Sequence, residues 1–288
     1  MSLNETVARI LSGAVDTHLH AAPDPYIERR LDVIDVARQA AEAGMGAVVF
    51  KSHEYCTAPL AAVVQRLVPE IRVFGAVSLD LEVGGLNPAV VEMAGRLGSK
   101  IVWFPTFSAR AWVRRTQPDG DGQTVFTENG KLKPEVFEIL DLIKKHDMVL
   151  ATGHLGLDEQ LALVREARRR GIEKIVATHA FTVAGPAEQV ALAEAGAIIE
   201  HCFLYLLPTT KTQLAGTPAP RLDPEALVGA VRLVGPERCL ISTDLGQAHN
   251  LPPTEGFRMF VALLLREGLE AEAVERMAKT NPRNLLGI

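Results

Sequence analysis

The chain has 288 residues, of which 48% are hydrophobic and 23% charged, with a formal net charge of −5. That balance belongs to a folded protein with a sizeable core; it excludes a disordered chain and offers no basic field for nucleic acid. No apolar run reaches the roughly 18 to 20 residues that cross a bilayer, and the opening MSLNETVARILSGAV lacks the charged start and long apolar core of a signal peptide, so a cytoplasmic protein with a small-molecule partner is expected.

Short apolar runs rich in Val and Ile recur along the chain, each too short for a core helix, which is how buried parallel strands read. In order they are AVDTHLH (14–20), GAVVFKS (46–52), RVFGAVS (72–78), KIVWFPT (100–106), MVLATGH (148–154), KIVATHA (174–180), AIIEHCF (197–203) and CLISTDL (239–245). Helices fill the gaps. Pro88, Pro134, Pro186 and Pro224 stand at first helical positions, and Gly44, Gly98, Gly171 and Gly196 stand where helices should stop. Eight strand–helix units predict a (β/α)8 TIM-type barrel forming a single domain over 1–288. The gaps after strands 4 and 7 are the longest, and both insertions fall at the C-terminal ends of strands, the end that carries the active site in such barrels. A helix before Val15 is expected to cover the bottom, and EAEAVERMAKTNPRNLLGI to form a terminal helix and tail. Cys56, Cys202 and Cys239 are an odd number without CxxC spacing, which argues against a disulfide framework.

Six of the eight histidines fall at or just beyond a strand end: His18 and His20, His53, His154, His179 and His201; Asp244 closes strand 8. Alternate strand residues face one way, so His18 and His20 share a face. Any one of these imidazoles could be a hydrogen-bonded core residue. Structural histidines have no reason to gather at the same end of different strands, however, whereas neutral imidazoles with a carboxylate suit Zn²⁺ or a similar divalent ion, with an open position for water.

The HLH ending strand 1, a His ending each of strands 5 and 6, an Asp ending strand 8 and the tail NPRNLLGI together resemble the amidohydrolase superfamily, metal-dependent hydrolases on a distorted (β/α)8 barrel. The resemblance implies that His18, His20 and Asp244 bind metal, that His154 and His179 bind it, bind a second ion or act catalytically, and that Asp244 takes a proton from water. Two-metal members carry a bridging Lys or Glu at the end of strand 4, where this chain reads Trp103-Phe104-Pro105-Thr106. The single-metal arrangement, with His154 as ligand and His179 left for catalysis, suits it better. Zn²⁺ is then the expected ion, with Mn²⁺ or Fe²⁺ as substitutes, and the resemblance is compatible with a homo-oligomer.

Other polar residues have less defined roles. Lys51 and His53 share a face at the end of strand 2 and are candidates for substrate binding; Lys51 could equally be a solvated charge or a carboxylated bridge between metals. Of the adjacent pair Glu200 and His201 only one can face the barrel mouth, and His201 is the candidate. Asp16, deeper on the His18 face, would orient a ligand imidazole or cap buried donors. Arg110, Arg114 and Arg115 beside Trp112 suit a substrate carboxylate or phosphate, or pair with Asp119, Asp121 and Glu128. PDGDGQTVFTENGK reads as a hairpin lid with an Asn-Gly turn, and Tyr205, Lys211 and Arg221 are possible wall residues of the second insertion. The expected activity is metal-dependent hydrolysis of an amide, ester or lactone of a small, anionic substrate. A decarboxylase, a phosphoesterase and a catalytically silent binding barrel are the alternatives.

Overall fold

The computed structural model describes residues 2–207 and 222–288. Eight parallel strands among them follow one another in the sheet in chain order: β1 (Val15–Leu19), β2 (Ala47–Phe50), β3 (Arg72–Ser78), β4 (Ile101–Trp103), β5 (Val149–Ala151), β6 (Ile175–Ala177), β7 (Ile198–Cys202) and β8 (Cys239–Ser242). Helices alternate with them: α1 (Leu3–Leu11), α2 (Val33–Glu42), α3 (Ala58–Leu67), α4 (Pro88–Arg96), α5 (Arg110–Thr116), α6 (Pro134–Lys145), α7 (Leu157–Arg169), α8 (Pro186–Ala195), α9 (Pro224–Val234), α10 (Pro253–Arg266), α11 (Ala271–Glu275) and α12 (Asn281–Leu286). This is the (β/α)8 barrel that the sequence predicts. Its expected helix boundaries hold: Pro88, Pro134, Pro186 and Pro224 open α4, α6, α8 and α9, and Gly44, Gly98, Gly171 and Gly196 all adopt positive φ. No described helix is long and apolar enough to cross a membrane.

Residue contacts gather in two compact units, Met1–Lys51, Leu60–Phe74 and Glu200–Ile288 in the first and Ser52–Pro59 with Gly75–Ile199 in the second. In the first, β1 pairs with β2 through Val15 and Ala47, and β8 runs beside β1. Just past β8, the Asp244 N–H donates to the His18 carbonyl and the His20 N–H to the Leu245 carbonyl, both at 2.7 Å. Phe257 and Phe260 of α10 are wholly buried in this unit's core. The amino-terminal α1 packs on α10, α11 and the π-helical turn Arg276–Thr280. Lys279 Nζ donates to the Arg9 carbonyl at 2.9 Å and Arg283 to the Gly13 carbonyl at 3.1 Å, tying the two ends of the chain together.

In the second unit, β3 to β6 pair in register, Ala76 with Ile101, Ile101 with Val149 and Leu150 with Ile175. α4 packs on α6, and α7 on α8. β4, β5 and β6 are shorter than their apolar runs because the chain turns out of the ladder before the polar residues are reached. Gly153, just past β5, has φ +63°, and a Cβ there would lie 2.2 Å from the Phe104 carbonyl oxygen, so only glycine lets β5 end against β4 this closely. The expected hairpin at 118–131 is short: across the turn that holds Asn129 and Gly130, the Thr127 N–H donates to the Lys131 carbonyl at 2.8 Å and the Lys133 N–H to the Val125 carbonyl at 2.9 Å, with an antiparallel bridge between Phe126 and Leu132. The same insertion holds a helix, α5, that its sequence did not announce.

Candidate metal site and the histidine cluster

In the first unit, β1 and β8 bring three nitrogen and oxygen donors together. His18 Nε2 and His20 Nε2 each lie 3.1 Å from Asp244 Oδ1, and these three atoms lie within 4.8 Å of one another with all three residues buried. Asp244 is held at φ +54°, in the left-handed region that aspartate tolerates better than most residues, and the two backbone bonds to β1 fix it there. Burial alone would raise the Asp244 carboxyl, but the charge and hydrogen bond of His18, joined by His20, hold it well below the carboxylate range. Arg29 forms an ion pair with Asp24 at 2.7 Å and approaches His20 Nδ1 at 3.4 Å.

Lys51 is not a solvated strand-end charge. It is 3% exposed, and its Nζ lies 3.0 Å from His18 Nε2. The alternation at β7 also resolves against the expectation. Glu200, and not His201, faces His18: its carboxylate lies 3.1 Å from His18 Nδ1 and accepts from Ser242 Oγ at 2.8 Å. His201 is buried with both ring nitrogens lacking a hydrogen-bond partner, and burial lowers it to about 4, so it is a neutral packed imidazole at neutral pH. Burial and the Lys51 ammonium oppose charge on His18, yet Asp244 and Glu200 prevail and raise it to about 9.

Asp16 orients no imidazole. Its carboxylate accepts from the His18 and Thr243 amides, at 3.2 and 3.1 Å, and from Thr243 Oγ1 at 2.5 Å, joining β1 to the end of β8, and burial pushes it up to about 7. Cys202 lies 3.9 Å from His18 Nδ1 beside Glu200, a second set with ligand-like spacing. Burial raises the thiol well above its usual value, and His18 Nδ1 already meets a carboxylate, so this set does not fit an ion. The set formed by His18, His20 and Asp244 fits one: a carboxylate held ionised and two imidazole nitrogens converge, and a carboxylate backs one ring from behind.

The second unit gathers the other histidines. His53, just past β2, meets Thr106 Oγ1 at 2.6 Å and Asp80 at 3.3 Å through Nδ1. His154 and His179 have ring centroids 4.8 Å apart, and Trp112 of α5 stands 4.3 Å from His154. His179 carries φ +27°, and its Nδ1 lies 3.3 Å from Thr182 Oγ1. Arg115 lies over the Trp112 ring and donates to the Thr182 carbonyl at 2.6 Å. The helix therefore turns Trp112 and Arg115 toward the histidines. Arg110 and Arg114 line a separate cavity of 490 Å³ with Thr124, Phe126 and the first turn of α7, and Arg110 pairs with Asp121 at 3.3 Å. Arg114 Nε reaches the Gly120 carbonyl at 3.4 Å. Tyr205 is buried, while Lys211 and Arg221 lie outside the described residues.

Sequence reasoning missed Asp80, Glu200's role and Trp112. The signal for Asp80 was present: RVFGAVSLD ends an apolar strand on a carboxylate, as CLISTD does. For Glu200, Cys202 two residues on marks the same strand face.

Fold and site together define a (β/α)8 barrel with an imidazole–carboxylate cluster suited to a divalent ion. The chain belongs to the family of unknown function DUF6282, whose profile matches residues 13–200. No curated protein matches it in sequence. Among solved structures it is similar to an amidohydrolase from Pseudomonas aeruginosa (TM-score 0.66, 14% identity, covering 99% of this chain and 98% of that one). It is also similar to an organophosphorus hydrolase from Deinococcus radiodurans (0.65, 15%, 98% and 94%) and to a lactonase engineered for organophosphate hydrolysis (0.63, 15%, 98% and 97%). At these identities the likeness is one of fold.

Proposed function

We propose that this protein is a metal-dependent hydrolase that attacks the carbonyl of a small anionic amide, ester or lactone. The observation that carries the reading is the convergence of His18 Nε2, His20 Nε2 and Asp244 Oδ1 within 4.8 Å of one another, all buried. The hydrolases among the structural neighbours support it by fold. A divalent ion held there, Zn²⁺ first among the candidates, supplies Lewis acidity and lowers the pKa of water. Asp244 accepts the proton that the attacking water loses, a role its ionised state allows. Glu200 keeps the His18 proton on Nδ1 and so directs its Nε2 lone pair toward the ion. Lys51 supplies the positive charge that selects an anionic substrate. For His154 and His179 we retain the roles that the sequence resemblance implies, a further ligand and a donor to the developing oxyanion.

The test is elemental analysis of the wild type, His18→Ala, His154→Ala and His179→Ala, followed by panels of amides, esters, lactones and phosphoesters with the metal-loaded protein. One ion per chain, lost in His18→Ala, with turnover of a carbonyl substrate is expected. Metal binding without turnover on any panel would leave a binding barrel, and stoichiometric release of carbon dioxide from a carboxylated substrate would make it a decarboxylase.

A further inference from the structure

The 490 Å³ cavity of the second unit lies between α5 and the first turn of α7, and the proposed hydrolysis makes no use of it. Arg110 and Arg114, four positions apart, share the face of α5 that lines it, and Ala111, Phe126 and Leu157 give it apolar walls. Its volume falls within the range of about 300 to 1,000 Å³ that small-molecule sites occupy, and apolar walls with a few convergent polar groups are their usual make-up. None of its lining residues belongs to the set formed by His18, His20 and Asp244.

The polar groups of the lining divide into those already engaged and those that can still meet a ligand. Glu159 is engaged: its Oε1 accepts from the Thr124 hydroxyl and, at 3.0 Å, from the Val125 amide, and its Oε2 accepts from the Gly156 amide at 3.1 Å. Thr124 gives its one hydroxyl proton to Glu159 and accepts from the Phe126 amide at 3.2 Å, so it too is occupied. The guanidinium groups are not. Arg110 Nε is buried and no described residue accepts from it, while Nη2 meets the Asp121 carboxylate at 3.3 Å. Asp121 is 86% exposed, so this pair contributes little and exchanges readily. Nε and Nη2 form the edge of a guanidinium that grips a carboxylate through two parallel bonds. Half of that edge is open in Arg110 and the other half loosely held. Arg114 reaches the Gly120 carbonyl at 3.4 Å and has no carboxylate partner among the described residues. A buried N–H without an acceptor is destabilising, and a ligand oxygen placed on it removes the penalty.

We propose that this cavity binds a small organic monocarboxylate, its carboxylate held side-on by Arg110 and flanked by Arg114, its apolar body resting on Phe126 and Leu157. The charges of the lining set the class of ligand. Glu159 and the exposed Asp158 stand against the two guanidinium groups, so a second negative charge on the ligand, as in a phosphate dianion, finds no cation left to meet it. The site is independent of the hydrolase reading, since it lies wholly in the second unit and uses no residue of the metal set. It also carries its own reporter. Trp112, one of two tryptophans in the chain, belongs to the same helix and stands 4.3 Å from His154, so a ligand that draws on Arg110 and Arg114 changes its surroundings through α5.

Titration calorimetry of the full chain with phenylpropionate, with and without Zn²⁺, tests this, and phenylpropionamide and phenyl phosphate serve as controls. Phenylpropionate should bind with a Kd of about a millimolar in both metal states and shift the tryptophan emission, the phosphate should bind more weakly and the amide not at all. Arg110→Gln should weaken phenylpropionate about 10- to 100-fold, and Arg110→Lys, which keeps the charge and loses the fork, nearly as much. Asp121→Asn releases Nη2 from its competitor and should tighten binding severalfold; this exposed position keeps the test decisive should the Arg110 variants fold poorly. Equal affinity in the wild type and in a folded Arg110→Gln would place the ligand elsewhere and overturn the proposal. So would equal binding of acid and amide, tighter binding of the phosphate, an unchanged affinity in Asp121→Asn, or no binding at concentrations about tenfold above the expected Kd. None of these results depends on whether the protein holds a metal or turns over a substrate.

Discussion

The Glu200 carboxylate stands 3.1 Å from His18 Nδ1, behind the ring whose Nε2 faces Asp244. A carboxylate in this position fixes the ring's tautomer and raises its basicity as a ligand, and partners of this kind are worth 10- to 100-fold in metal affinity. Glu200→Gln is expected to weaken Zn²⁺ binding by about that factor while leaving the fold intact, because the amide oxygen still accepts from Ser242. Competition with a chelating dye measures it. An unchanged affinity would reduce Glu200 to a packing partner.

His18 is raised to about 9 with Asp244 and Glu200 beside it, so at pH 8 it carries a proton that a metal must displace. The sign follows directly: lowering the pH below about 9 favours the proton, and apparent metal affinity falls toward tenfold per unit. Titration calorimetry in two buffers of different ionisation enthalpy should show close to one proton released per ion at pH 8. Glu200→Gln should release less, since one of the two charges that raise His18 is gone.

Lys51 puts an ammonium 3.0 Å from the same Nε2. Unit charges about 4 Å apart interact by about 4 kcal/mol in a dielectric of about 20, and a dication doubles this before screening. Lys51→Met should therefore tighten Zn²⁺ binding by tenfold or more and weaken binding of an anionic substrate. A variant that loses its metal would instead identify Nζ, as a carbamate, among the ligands.

The fold was legible because parallel strands buried on both faces write themselves as uniform apolar runs, and because proline and glycine mark helix ends by local sterics alone. The residues His18, His20 and Asp244 were legible for a related reason: each ends a run, and strand alternation pairs the first two. Glu200 and His201 were not separable, since alternation says that one faces inward without saying which. That choice depends on the register of β7 in the barrel, a tertiary fact. Asp80 was obscured because the residues that reveal it, Thr106 and Ser108, come from the loop after β4, 26 and 28 positions away. Arg110 and Arg114, which line a cavity with Thr124 and Phe126, could not be separated in the sequence from Trp112 and Arg115. As a helix, α5 presents positions four apart on one face and turns Trp112 and Arg115 elsewhere.

His201 offers a contrast within the same strand. Its two nitrogens lack partners, and a buried unsatisfied polar group costs about 1 to 3 kcal/mol. His201→Leu should therefore match or exceed the wild type in urea unfolding and keep its full metal content. A loss of metal would place His201 among the residues that build the site.

Asp16 gives stability a pH dependence of opposite sense to most carboxylates. Its folded value is about 7, against about 3.9 for an unfolded aspartate, so between these values the folded chain holds a proton that the unfolded chain has released. Stability from this group is therefore present below pH 4 and is lost as the pH rises toward 7. Asp80 and Asp244, both lowered, act the other way: their contribution is present above the unfolded value and is lost in acid. Asp16→Asn keeps an oxygen for the His18 and Thr243 amides and can donate to Thr243 Oγ1, but it cannot ionise. Urea unfolding at pH 4.5, 6 and 7.5 should show the variant gaining on the wild type with each step upward. A constant difference would mean that Asp16 is ionised in the fold throughout, its three donors outweighing burial.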